Sequence, residues 1–139
     1  MSLTAEQARL VTDSYTLIGR SSRPYAELFY HRLLFDHPFT RALFSDDMQH
    51  QAFVFEKTID TLVKNVVDIE RLRPDLSELA KKHVGYGVRP HHYEVVGTVL
   101  IETFSEILGG RFTPDIRRAW EAVYAETAGV MIAEAYLDN

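Results

Sequence analysis

Apolar residues recur along this chain at spacings of three, four and seven, the pattern of helices with one buried face. Thr4 and Gln7 have capping-box spacing, and the stripe Leu10, Val11, Leu17, Ile18 follows them. Pro24 opens a second segment carrying Leu28, Phe29, Leu33 and Leu34, which Asp36-His37-Pro38 breaks. A short third segment runs from Phe39 to Phe44. A longer helix then carries Met48, Phe55, Ile59, Leu62, Val63 and Val66. Pro74-Asp75 starts a short helix on which Leu76, Leu79, Ala80 and His83 share a face, and Gly85 and Gly87 end it. Tyr93 to Leu108 forms the next stripe, closed by Gly109-Gly110. Thr113-Pro114 opens the last helix, which buries Ile116, Trp120, Val123, Thr127, Val130 and Met131.

No stretch alternates as a half-buried strand does. About seven helices of unequal length predict an all-α fold whose helices cross at steep angles. No repeat, linker or low-complexity run divides the chain, so residues 1–139 are expected to form one domain.

Composition narrows the function classes. The formal net charge of -5 argues against a nucleic-acid footprint, which needs a basic patch. Cysteine is absent, which excludes disulfides, thiolate metal sites and covalent c-type haem attachment. Neither a signal peptide nor an apolar run of membrane length is evident, so a cytoplasmic setting is expected.

Of six histidines, five look dispensable by position. His31 sits among charged residues, His37 precedes a proline in a turn, and His91-His92 fall in a loop near a helix start. His83 differs, because it shares an apolar face with Leu79 and Ala80. A lone histidine there is more often a satisfied core residue than a ligand. Two features favour the ligand reading: the glycines that turn the chain sharply beside it, and the use of neutral imidazole as a haem ligand. No second histidine at the i+4 position supports a structural zinc site. Nor is there an identifiable partner for acid–base or nucleophilic catalysis.

Four motifs in order resemble a known family. Lys82-His83-Val84-Gly85-Tyr86-Gly87-Val88 with His92-Tyr93-Glu94-Val95-Val96-Gly97 is similar to the proximal region of bacterial haemoglobins and of flavohaemoglobin globin domains. Phe29-Tyr30-x-x-Leu33-Leu34, Pro38 and Leu43-Phe44 match the family's distal helix and corner. Ala119-Trp120-x-x-x-Tyr124 matches its last helix. The resemblance implies a globin fold around one non-covalent haem b, with His83 as the iron ligand. It further implies Tyr30 and Gln51 as distal donors, Phe44 as the residue wedging the haem, and Phe55 closing the pocket. Val88 and Tyr93 would complete the haem surroundings. A one-residue shift in the loop Ser45–His50 would present His50 to the iron instead of Gln51.

The function implied is reversible binding of dioxygen or another diatomic gas, for storage, delivery or scavenging. Two alternatives stand beside it: nitric oxide dioxygenation with an external reductase, and a haem-free or gas-sensing module that binds a partner. The chain ends at Asn139, so a multi-turnover reaction would draw electrons from a separate polypeptide. The family's proximal glutamate aligns with Ala135, while Glu134 is one residue away. That departure predicts a less electron-rich proximal imidazole and places strong peroxidase-like or dioxygenase chemistry in doubt.

Overall fold

The computed structural model describes residues 3–136. All seven predicted segments are helical: α1 (Ala5–Gly19), α2 (Tyr25–Asp36), a 3-10 helix (Pro38–Leu43), α3 (Met48–Lys64), α4 (Arg73–Gly85), α5 (Pro90–Leu108) and α6 (Pro114–Tyr136). Two further 3-10 turns, Ile69–Leu72 and Gly109–Arg111, lead into α4 and out of α5. No strand occurs among the described residues. None of the helices is long and apolar enough to cross a membrane.

Local chemistry accounts for most boundaries. The Gln7 amide donates to Thr4 Oγ1 at 3.0 Å while the Thr4 amide donates to Gln7 Oε1 at 3.1 Å, the reciprocal pair that starts α1. Asp47 caps α3 by accepting from the His50 amide at 3.1 Å. Gly109, with φ +56, supplies the left-handed turn that stops α5. One boundary departs from the sequence reading. Helix α5 begins at Pro90, three residues before Tyr93, because proline at the first helical position has its φ preset and no amide to leave unpaired. His91 and His92 therefore belong to a helical first turn and not to a loop.

The core is built where α6 packs across α1 and α4, and where α2 packs on α5. Val11, Ile18, Phe29, Leu33, Leu100 and Phe104 are fully buried there. Trp120 Nε1 donates to Ser14 Oγ at 2.8 Å, and the Ser14 hydroxyl in turn donates a hydrogen bond to the Leu10 carbonyl at 2.7 Å. Tyr15 ties α1 to α3 by donating to the Asp60 carboxylate, and its oxygen lies 2.8 Å from that of Tyr25 on α2. Helices α3 and α4 face each other across open space. A cleft lined by residues of α2 to α6 opens between them.

The crossing of α5 and α6 depends on Gly97. A Cβ there would lie 2.5 Å from the Tyr124 ring. Alanine gains roughly 0.5–1 kcal/mol in helix propensity, but overpacking costs about 1–3 kcal/mol. Gly97→Ala is expected to lower the melting temperature by several degrees in a calorimetric scan. A higher melting temperature would mean that the contact is absent.

Candidate cofactor pocket

The cleft encloses about 1150 Å³ of atom-free space, its open mouth included, with walls drawn from α2 to α6. Each residue anticipated at the site lies on this wall: Tyr30, Phe44, Gln51, Phe55, His83, Val88 and Tyr93.

His83 stands on the inward face of α4, half-buried. Its Nδ1 lies 2.8 Å from the Leu79 carbonyl, an acceptor only, so Nδ1 carries the proton and Nε2 keeps a free lone pair. Burial lowers the imidazole pKa below its ordinary 6.5, partly opposed by the bond to Leu79, so the ring is neutral at pH 7. The chain then folds back: the Val88 amide donates to the His83 carbonyl at 3.0 Å, and Gly87 takes φ +92. That turn puts Val88 on the wall beside the imidazole. Tyr93 from α5 stacks alongside, its ring centroid 6.3 Å from that of His83.

The α2–α3 wall is aromatic. The Tyr30 ring meets Phe44 and Phe55 edge-on, with centroids 5.2 and 5.6 Å away. Phe55 stacks on Phe29 at 4.4 Å. Burial pushes the Tyr30 phenol up to about 12, with Gln51 partly opposing, so the hydroxyl keeps its proton. Among the described residues it has no backbone acceptor, in contrast to a structural core tyrosine. Gln51 Oε1 receives long contacts of 3.4 Å from the Ser45 amide and hydroxyl, which leaves its NH₂ as a donor. His50 is exposed and lies off the wall.

Behind His83 the proximal network holds no carboxylate among the described residues. The Tyr93 hydroxyl is buried without a partner. Burial, with Tyr136 adding to it, raises this phenol to about 12. Tyr136 donates elsewhere, to the Val88 carbonyl, and Tyr124 donates to the Tyr93 carbonyl at 2.5 Å. Glu134 faces Arg73 at 3.8 Å. The departure noted at Ala135 is therefore not compensated by its neighbour.

Among the wall residues that the sequence reading did not assign to the site are Tyr86 and His92. Pro90 was the available signal for His92, since a helix starting there places it in the first turn. Tyr86 left no periodic signal, because it follows the end of α4.

Taken together, these features define an all-α protein built around an apolar cleft whose wall presents one imidazole, His83, with an unprotonated and unpaired ring nitrogen. A family model described as Globin matches residues 27–131, and the chain belongs to that family. A flavohemoprotein of Vibrio cholerae is 26% identical over 133 residues, covering 94% of this chain and 34% of that relative. The chain spans about a third of the length of the curated relatives it matches. A bacterial globin from Campylobacter jejuni superposes with a TM-score of 0.84 at 24% identity, covering 98% of this chain and all of that one. An engineered carbene transferase derived from a candidate nitric oxide dioxygenase of Rhodothermus marinus gives 0.86 at 20% identity, covering 99% and 96%.

A haem fits the chemistry of this wall. The lining is mostly apolar, as the face of a tetrapyrrole requires. One unprotonated imidazole nitrogen is available as an iron ligand, with its other nitrogen already oriented by a carbonyl.

Proposed function

We propose that residues 1–139 act as one globin unit that holds haem b non-covalently through His83 and binds dioxygen reversibly. The observation that carries this is His83 itself: a neutral, oriented imidazole whose Nε2 is free on the wall of an apolar cleft. Haem supplies, when bound, an iron centre able to take up diatomic gases. The protein's part is to orient, exclude and donate. The Leu79 carbonyl holds the His83 ring in one tautomer. Phe44 and Phe55 exclude water from the side bearing Tyr30. The Tyr30 hydroxyl and Gln51 amide offer donors to a gas ligand carrying partial negative charge. Each such bond contributes roughly 0.5–1.5 kcal/mol, more when the acceptor is charged.

Absorption spectra of the purified protein, ferric, reduced and carbon-monoxide-treated, test this directly. A haem spectrum that responds to reduction and to carbon monoxide is the expected result. A colourless protein that gains no spectrum on adding haemin would overturn it and leave the haem-free partner-binding module.

A second reading is nitric oxide dioxygenation with electrons from a separate reductase. The flavohemoprotein relatives, about three times as long, motivate it. The Tyr93 hydroxyl, unpartnered among the described residues, weighs against it, because none of those residues brings a carboxylate to draw the His83 proton and enrich the ring. Nitric oxide consumption measured with an added flavin reductase is therefore expected to be slow; rapid turnover would reverse the preference.

A further inference from the structure

Most polar groups on the cleft wall are already committed. Thr58 and Thr127 donate to the carbonyls of Val54 and Val123, at 2.9 and 2.8 Å, and Tyr124 donates to that of Tyr93. Tyr30 and Gln51 belong to the gas side, and His83 with Tyr93 to the proximal side. Among the described wall residues two donors remain, Tyr86 and His92, and no lysine or arginine is present. Both stand toward solvent. Tyr86 is 66% exposed, and His92 is half-buried beside the exposed Phe39, with ring centroids 6.0 Å apart.

His92 is also fixed in one tautomer. Its Nδ1 accepts from the Arg89 amide at 2.9 Å, so the neutral ring carries its proton on Nε2. Burial, with His91 and Arg89 adding to it, keeps the ring pKa below 6.5 and favours that neutral form. The result is one N–H donor on the wall at its solvent edge.

Haem is apolar over most of its area and carries two carboxylates along one edge. Sinking that edge into an apolar cleft without partners is costly, so it must stay at the mouth. We propose that His92 anchors a haem carboxylate by donating from Nε2, with Tyr86 the second donor available at that edge. This inference rests on the reading that the cleft holds haem. The anchor is a charge-assisted hydrogen bond.

The test follows loss of the tetrapyrrole to an excess of a scavenging apoprotein. It uses haem and its dimethyl ester in the wild type, His92→Leu and His92→Gln. His92→Leu is expected to lose haem about tenfold faster, as removal of a hydrogen bond to a charged group implies. Loss of the ester should be unchanged. His92→Gln, which keeps an N–H donor, should restore most of the wild-type rate for haem. If His92→Leu accelerates haem and ester equally, its effect is on the start of α5 and the anchor is refuted. No acceleration for haem refutes it as well. A wild type that takes up neither compound overturns the haem reading, and the anchor falls with it.

Discussion

Replacing His83 by alanine is expected to lower haem affinity by more than about 100-fold and to erase the spectrum of a histidine-ligated haem. Removing a mere hydrogen-bonding partner of a metal ligand already costs roughly 10–100-fold, and His83 is the ligand itself. The fold should survive, because the side chain is half-buried on the cleft wall and its one hydrogen bond among the described residues is to the Leu79 carbonyl within α4. The measurement is a haemin titration of the apoprotein followed by absorbance, with circular dichroism to confirm helix content. Free imidazole added to the variant should restore part of the spectrum by filling the vacated position. A variant that binds haemin as tightly as the wild type, with an unaltered spectrum, would sink the assignment of His83.

Tyr30→Phe should leave affinity for haem nearly unchanged and speed oxygen release by about tenfold or more. The phenylalanine ring preserves the edge-on contacts with Phe44 and Phe55, so only the hydroxyl is lost. A hydrogen bond to a charged acceptor contributes about 1.5–3 kcal/mol, and each 1.4 kcal/mol is a factor of ten. Stopped-flow displacement of oxygen measures the rate. Carbon monoxide, which accumulates less negative charge, should respond far less to the same substitution. That contrast separates a lost hydrogen bond from a change in pocket shape. An unchanged oxygen rate would remove Tyr30 from the site.

Much of this was legible in the chain. Helices appear wherever apolar residues repeat with a helical period, and their ends fall at Thr4, Pro24, Pro74, Gly109 and Pro114, each a local stop or start. His83 stood out because an imidazole on an apolar stripe is costly unless it is used or satisfied. The proximal gap was visible too, since Ala135 occupies the position where the family's glutamate aligns and Glu134 points to Arg73.

The distal residues were less legible. His50 and Gln51 are adjacent in sequence but about 100° apart around a helix. Which one enters the cleft depends on how α3 packs. Asp47 caps the helix so that both residues are helical, and the packing of α3 through Phe55 and Ile59 turns Gln51 to the wall and leaves His50 exposed.

The chain pattern by itself determined the helices, their buried faces and the residue types able to hold a haem, because these follow from short-range periodicity and capping. Only the tertiary structure decided that α3 and α4 face each other across a cleft, and that His92 comes to its mouth. It also decided that the Tyr93 hydroxyl is left without a partner among the described residues. Those outcomes rest on helix crossings such as that of Gly97 with Tyr124. Crossings join residues far apart in sequence, and no local pattern encodes their geometry.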